Sequence, residues 1–224
     1  MQTDRRSVGR RKDMRIVKDG GERRKELLDT ARRLFISKGY EKTSINDILK
    51  EVGIAKGTFY YYFTSKEEML EAMILDIVKE GAERAKVILH DNSTPILVRM
   101  LFALQVQTPE IEGAEMIHAE MMKPENAKLD QLYLRTMIRE LTDIMLTPIQ
   151  EAIDQGIMKT DYPKEGIEIV LLLAQEMLNR PTFDWGEAEE SKKMQVFLYH
   201  VQRILGIREE EIQQLFMMLR GSMV

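Results

Sequence analysis

Residues 43–70 read TSINDILKEVGIAKGTFYYYFTSKEEML, and this stretch decides the fold of the N-terminal part of the chain. Ser44 precedes Asp47 by three residues, which is the spacing of a capping box at the start of a helix. Apolar residues then recur on one helix face until a glycine, so the pattern predicts a helix of about two turns and a tight turn. A second short helix follows, with Phe59 and Phe63 four residues apart on one side, where we assign both to the core.

Helical spacing continues on both sides of this stretch. Upstream, apolar residues repeat every three or four positions from Leu27 to Phe35 and predict a first helix that begins near residue 22. Downstream, Ser65 opens another capping pattern and an amphipathic helix over residues 65–89, about 35 Å long. Because a helix of that length exceeds a small three-helix unit, we expect it to bridge into the rest of the chain.

Three short helices, the last two joined by a glycine-containing turn, have the layout of a helix-turn-helix DNA reader. The third helix carries residues suited to that task. Lys56 supplies a cation, Gly57 removes side-chain bulk, and Thr58 offers a hydroxyl and a methyl to base edges. Tyr60 and Tyr61 can present phenol groups to phosphates. Consecutive tyrosines more often pack internally, but the flanking Lys-Gly and Ser-Lys pairs favour the DNA interpretation.

The net charge of −4 divides unevenly along the chain. Residues 1–66 carry 17 Lys and Arg against 9 Asp and Glu, a net of +8, so residues 67–224 carry a net of −12. A basic N-terminal segment on an acidic body is expected when the first part binds a polyanion. A solvated basic surface would give the same pattern, so charge alone leaves both interpretations open.

The motif of residues 43–70, extended back over RRKELLDTARRLFISKGY at residues 23–40, resembles the DNA-binding segment of the TetR family of bacterial transcriptional regulators. The resemblance implies a homodimer that binds a near-palindromic operator and is released by a ligand in a helical body. By position, it implies backbone contacts at Thr43 and Ser44, major-groove contacts at Lys56, Gly57 and Thr58, and phosphate contacts at Tyr60, Tyr61 and Lys66. Ala55 departs from the family, which often has a serine or threonine cap there.

The remaining chain reads as an all-helical body. It lacks sustained period-2 alternation, and prolines and glycines fall at helix-compatible places. We predict helices over residues 95–107, 110–122, 125–155, 163–179, 187–205 and 208–220. Pro148 lies inside the third of these, so that helix should kink or restart with Thr147 as its cap. The predicted organisation is a flexible basic arm at 1–21, a DNA-binding domain at 22–66 and a ligand-binding and dimerisation domain at 67–224. The arm would either reach the minor groove or remain a solvated tail.

Fourteen of the 16 methionines lie after residue 66. Methionine at helical spacing usually packs a core, but its flexible thioether chain also suits a pocket that adapts to ligands. We predict a mostly apolar ligand pocket with a few polar anchors. Its candidate residues are Met100, Phe102, His118, Met122, Tyr133 and Met137.

The segment 163–179 is apolar nearly all round, so it must be covered on more than one side. A central helix of a monomer would satisfy this, as would a helix shared between the core and a partner subunit. The family resemblance favours a four-helix dimer interface made by segments 163–179 and 187–205 of each subunit. The candidate interface residues are Ile167, Val170, Leu171, Ala174, Leu178, Phe197, Leu198, Val201 and Leu205.

The sequence gives little support to an enzymatic function. There is no cysteine, no glycine-rich phosphate loop and no serine nucleophile elbow. Glu115 and His118 form one Glu-x-x-His pair, whereas di-iron bundles need two with further carboxylates. We therefore expect no catalytic residue, no metal and no cofactor.

The sequence thus predicts a ligand-responsive transcriptional regulator, most readily a repressor, with a double-stranded DNA operator, a second copy of itself and a small-molecule effector as partners. The alternative is a helical binding or scaffold protein with a vestigial DNA-binding segment. The longest apolar run, residues 169–174, is far shorter than a membrane-spanning helix. We therefore expect no membrane association and a cytoplasmic location.

Overall fold

The computed structural model describes residues 20–106, 113–179 and 190–221. Within these ranges the chain forms ten α-helices, and its β-type backbone pairing is limited to one isolated antiparallel bridge between Met158 and Ile207. The all-α prediction is confirmed. The chain divides into two compact units between Thr64 and Ser65.

The first unit contains α1 (Gly20–Lys38), α2 (Ile45–Val52) and α3 (Lys56–Tyr62). The second unit contains α4 (Lys66–Leu89), α5 (Ile96–Gln105), α6 (Ala114–Met121), α7 (Ala127–Asp154), α8 (Pro163–Ala174), α9 (Glu190–Leu205) and α10 (Glu209–Gly221). A 3-10 turn, Pro124–Asn126, leads into α7, and a π-helical turn, Gln175–Asn179, continues α8. Residues 1–19 of the predicted arm lie outside the described residues, and Gly20 and Gly21 belong to α1.

One of the two alternatives given for Pro148 is excluded. α7 is continuous from Ala127 to Asp154 with Pro148 inside it, so the helix does not restart with Thr147 as its cap. All of α4 belongs to the second unit, since that unit begins at Ser65.

The first unit packs its three helices around aromatic side chains. Phe35, Phe59 and Phe63 are each no more than 1% exposed, together with Leu27 and Ile48. The Arg24 guanidinium lies 5.0 Å from the centre of the Phe63 ring, so it covers the end of α3 from α1. The assignment of Phe59 and Phe63 to the core is confirmed.

The second unit has one continuous apolar core to which α4, α5, α7, α8, α9 and α10 all contribute. α8 buries one face in this core through Ile167, Val170, Leu171 and Ala174. The other face leaves Ile169 50% exposed and Leu172 44% exposed. Residues three and four apart lie on the same side of a helix, so the buried residues and the exposed pair occupy different faces of α8.

Candidate nucleic-acid interface

The start of α2 is fixed by a reciprocal capping box. Ser44 is the N-cap residue; its hydroxyl accepts a bond from the Asp47 backbone N–H at 3.2 Å, and its own backbone N–H donates to the Asp47 carboxylate at 2.8 Å. The Lys38 ammonium donates to the same carboxylate at 2.7 Å. The bonds from Lys38 and then from Ser44 hold the pKa of Asp47 well below its usual range. The capping box predicted from the sequence is confirmed.

The turn between α2 and α3 depends on Gly53. Its φ of 72° lies in the left-handed region, which glycine adopts without steric cost. Its N–H donates to the Leu49 carbonyl at 2.9 Å and closes α2. α3 then begins after Ala55, whose side chain makes no capping hydrogen bond, as its lack of a hydroxyl predicts.

α3 has one buried side and one broad exposed side. Lys56, Gly57, Thr58 and the two tyrosines that follow Phe59 are all exposed. Tyr61 is 81% exposed and Tyr60 46%. The Lys56 ammonium lies 5.8 Å from the centre of the Tyr60 ring, so a cation and an aromatic face occupy neighbouring positions on this surface. The five DNA-contact residues predicted on α3 therefore share one accessible surface.

Gly57 has no role in the packing of its own unit. A methyl group placed at its Cα would meet no atom within 4 Å, and its φ lies outside the left-handed region. Glycine inside a helix costs about 0.5–1 kcal/mol relative to alanine. The missing side chain therefore leaves open space on the exposed side of α3, where another molecule can approach the helix backbone closely.

The structure changes the roles expected at the start of α2. Thr43 is only 1% exposed, and its hydroxyl donates to the Gly39 carbonyl at 2.8 Å, so the side chain is used inside the protein. The Ser44 hydroxyl is occupied by the capping box. Lys42 and Asn46 are both exposed beside this helix start.

Lys66 is the first residue of α4 and belongs to the second unit. Ser65 caps that helix by accepting a hydrogen bond from the Glu68 backbone N–H at 3.1 Å. The second predicted helix start is thus present with its cap, and Lys66 stands in its first turn, where the backbone N–H groups of a helix favour anions.

The structure brings few of the predicted ligand-pocket residues to a common cavity. An apolar cavity of about 30 Å³ lies in the second unit, lined by fifteen apolar residues that include Met100, Met145 and Met158. Of the six residues predicted, Met100 alone lines it. Phe102 is 43% exposed, because it lies two residues after Met100 on α5 and its side chain therefore points to a different side of the helix. His118 is exposed on α6. The other three predicted residues, Met122, Tyr133 and Met137, do not line this cavity.

The residues predicted for the dimer interface contribute to the core of their own chain. Ile167, Val170, Leu171, Ala174, Phe197, Leu198, Val201 and Leu205 are all buried inside the single chain, and Leu178 packs partly buried against the same core. Six of them line the apolar cavity. These side chains are therefore used in the packing of their own chain. The exposed apolar side chains of the same two helices are Ile169, Leu172 and Tyr199.

Glu115 and His118 are both exposed on α6, and the described part of the chain contains no group of three or more acidic, histidine or cysteine residues placed to hold a metal. Among the helices described, none is long and apolar enough to cross a membrane.

Two models of known protein families match this chain, one at each unit. Residues 27–73 match the family described as bacterial regulatory proteins, tetR family, and residues 111–199 match the tetracyclin repressor-like C-terminal domain. The chain belongs to the TetR family. The first match contains all of α2 and α3 and continues into α4, so it includes the exposed surface of α3.

Relatives within the TetR family are similar over different lengths. YuxN of Bacillus subtilis, an uncharacterised HTH-type transcriptional regulator, is 49% identical over 53 residues, which is 24% of this chain but only 18% of YuxN. The HTH-type transcriptional repressor KstR2 of Mycolicibacterium smegmatis is 27% identical over 141 residues, covering 62% of this chain and 69% of KstR2.

A solved structure supports the fold over most of the chain. A TetR/AcrR-family transcriptional regulator from Thermobifida fusca is 26% identical, with a TM-score of 0.55, and the alignment covers 80% of this chain and 97% of that protein. Similarity is therefore concentrated in sequence at the helix-turn-helix and maintained in fold through the helical body.

Proposed function

We propose that this TetR-family regulator is a repressor that binds a near-palindromic operator as a homodimer and leaves it when a small, mostly apolar ligand occupies the second unit. α3 serves as the recognition helix in the major groove. Two copies of it, one from each subunit, read the two half-sites. The relative KstR2 is named as a repressor, which supports the direction of regulation. The protein acts on chromosomal DNA in the cytoplasm.

The open space around Gly57 is the observation that carries this proposal. The lack of a side chain at this residue has no explanation inside the first unit, yet the residue lies between Lys56 and Thr58 on an exposed helix face. A recognition helix needs small residues where its backbone approaches the duplex, and it needs polar residues beside them. The same surface on a scaffold protein would gain stability from alanine at this position.

The variant Gly57→Ala tests the proposal with two opposite readouts. We expect the free energy of unfolding of the first unit to rise by about 0.5–1 kcal/mol, because alanine favours helix and meets no neighbour. We expect operator affinity to fall about tenfold, because the methyl group blocks close approach. Thermal unfolding and gel-shift titration against a duplex selected from a random library measure the two effects. An alanine variant that is more stable and binds equally well would contradict the proposal and favour the scaffold alternative.

A second pair of variants distinguishes contacts to bases from contacts to phosphates. Thr58→Ala should change the base preferred at one operator position, since a base contact is worth about 1–3 kcal/mol of discrimination. Lys66→Ala should instead weaken binding to specific and random duplexes alike and lower the salt slope by about one unit. Selection from a random library and titrations at several salt concentrations measure both. Equal losses on all sequences for Thr58→Ala would remove it from the base-reading set.

The dimer interface that we propose uses the exposed side of α8 and α9 in place of the residues predicted first. Ile169 and Leu172 lie three residues apart on α8, and Tyr199 is half exposed on α9, with the Arg203 guanidinium 3.5 Å from its ring centre. Apolar and aromatic residues with arginine are typical of interface centres. A second copy of the chain would bury this surface against itself.

The ligand site that we propose is the apolar cavity of the second unit. At about 30 Å³ the cavity has room for only about two water-sized groups, so a ligand must displace side chains. Met100, Met145 and Met158 can do so, because the methionine chain has several rotatable bonds and no branch. The lining offers no charged or hydrogen-bonding side chain, which favours an uncharged hydrocarbon-like group.

A further inference from the structure

The acidic second unit contains a basic groove between α4 and α7. It has a volume of about 650 Å³ and is bordered by Lys128, Arg135 and Arg139 of α7 and Glu71 of α4. We propose that this groove binds a small multivalent oxyanion, either a phosphate ester or a polycarboxylate. The site is separate from the apolar cavity, with which it shares no lining residue. It is also independent of the proposed DNA contacts.

The three basic residues form one stripe along α7. They are separated by seven and four residues, and both intervals return to nearly the same helix face. At 1.5 Å per residue, Lys128 and Arg135 are about 10 Å apart along the axis, and Arg135 and Arg139 about 6 Å. Such a row can hold a ligand whose charges are spread over two or three neighbouring groups, and the groove volume is of the size that small-molecule sites have.

The charges of this stripe are mostly not neutralised by the protein. Lys128 and Arg135 form no ion pair with any described residue, and Arg139 pairs with its neighbour Glu140 at 3.0 Å on an exposed surface. Exposed pairs of that kind are weak and exchange readily. The groove lining therefore carries a net charge of +2, although residues 67–224 as a whole carry −12. An anion that approaches this unit is attracted here and repelled from most of the remaining surface.

The other groove residues restrict the ligand further. Guanidinium groups bind oxyanions through two parallel hydrogen bonds, so Arg135 and Arg139 suit phosphate or carboxylate better than chloride. Thr136 lies buried on the groove floor, and Gln131 adds amide groups beside the stripe. Glu71 faces an anion with a like charge unless the ligand presents a hydroxyl or amino group to it. The preferred ligand thus combines two or more negative charges with a hydrogen-bond donor.

Calorimetric titration of the full chain with sodium tripolyphosphate, and separately with citrate, tests the proposal at constant ionic strength. We expect saturable binding of at least one probe to one site per chain. Arg135→Ala/Arg139→Ala should weaken that binding tenfold or more. Lys159→Ala/Lys164→Ala removes the same charge from exposed positions that do not border the groove, and should leave the affinity within twofold. The probe that binds distinguishes a phosphate site from a carboxylate site.

Glu71→Gln supplies a test of the opposite sign. Removing the like charge should tighten tripolyphosphate or citrate binding, whereas Glu165→Gln, at an exposed position of α8 away from the groove, should not. Circular dichroism melts confirm that each variant is folded, and gel shifts measure operator binding independently. The proposal is overturned if neither probe binds the wild-type chain, or if both double variants weaken binding equally. It is also overturned if the arginine variant loses DNA affinity alone, which would make the groove a nucleic-acid contact.

Discussion

Leu172→Arg is expected to convert the proposed homodimer to a monomer while leaving the subunit folded. Leu172 is 44% exposed on the side of α8 that faces away from the core, so arginine there meets solvent in the monomer. In the dimer the same charge would be buried against apolar side chains, which is costly without a partner. Loss of the second subunit separates two linked half-site contacts, so operator affinity should fall by about 10²–10⁴-fold.

The adjacent residue gives the contrasting result. Leu171 is 2% exposed and points into the core, so Leu171→Arg should unfold the second unit. Val87→Arg provides the matched control, because Val87 is 74% exposed on α4 and the substitution introduces the same charge elsewhere. Sedimentation velocity measures the mass of each variant, and circular dichroism its helicity. A dimeric Leu172→Arg chain, or a monomeric Val87→Arg chain, would move the interface away from α8.

The sequence was sufficient for the helix-turn-helix because its signals are local. A cap such as Ser44 with Asp47 acts across a single helix turn, and Gly53 ends the helix by its own backbone conformation. The core assignment of Phe59 and Phe63 likewise needs only a spacing of four residues. Thr43 shows the limit, since its hydroxyl bonds to backbone groups of α1 and the following turn, which spacing does not indicate.

The body was predicted correctly in helix order but not in the direction of its helix faces. The segment that contains α8 is apolar on nearly every side, so periodicity cannot decide which side meets the core and which meets a partner. Ile167 and Ile169 are the same residue type two positions apart, yet the first is buried and the second half exposed. Only the placement of α7 and α9 against α8 distinguishes them. The same uncertainty applies to α5, where Met100 is buried and Phe102, two residues further along, is 43% exposed.

Two loops of the second unit are joined by backbone hydrogen bonds that no local sequence pattern indicates. The Lys159 N–H donates to the Gly206 carbonyl at 3.0 Å, and the Arg208 N–H donates to the Ile157 carbonyl at 3.0 Å. These bonds join the turn after α7 to the turn between α9 and α10. Met158 and Ile207, which form the bridge, also line the apolar cavity. The junction therefore holds one wall of the proposed ligand site.

Gly206→Ala should break this junction. Gly206 has a φ of 60°, and an added Cβ would lie 2.0 Å from the Lys159 carbonyl oxygen, a backbone atom that cannot rotate away. We expect a loss of roughly 3–5 kcal/mol in the free energy of unfolding, from a strained conformation together with a displaced loop. For a chain of this size that corresponds to a fall in Tm of roughly 6–20 °C.

Gly156→Ala is the matched control for that effect. Gly156 has a similar φ of 69°, but an added Cβ would meet nothing within 4 Å, so only the cost of the left-handed conformation remains, about 1 kcal/mol. Thermal and urea unfolding of the two variants separates backbone strain from the clash with Lys159. Equal destabilisation by both would mean that the two turns relax apart freely. A larger loss at Gly206 would show that the close approach of the turns holds α7 and the end of α9 together beside the cavity.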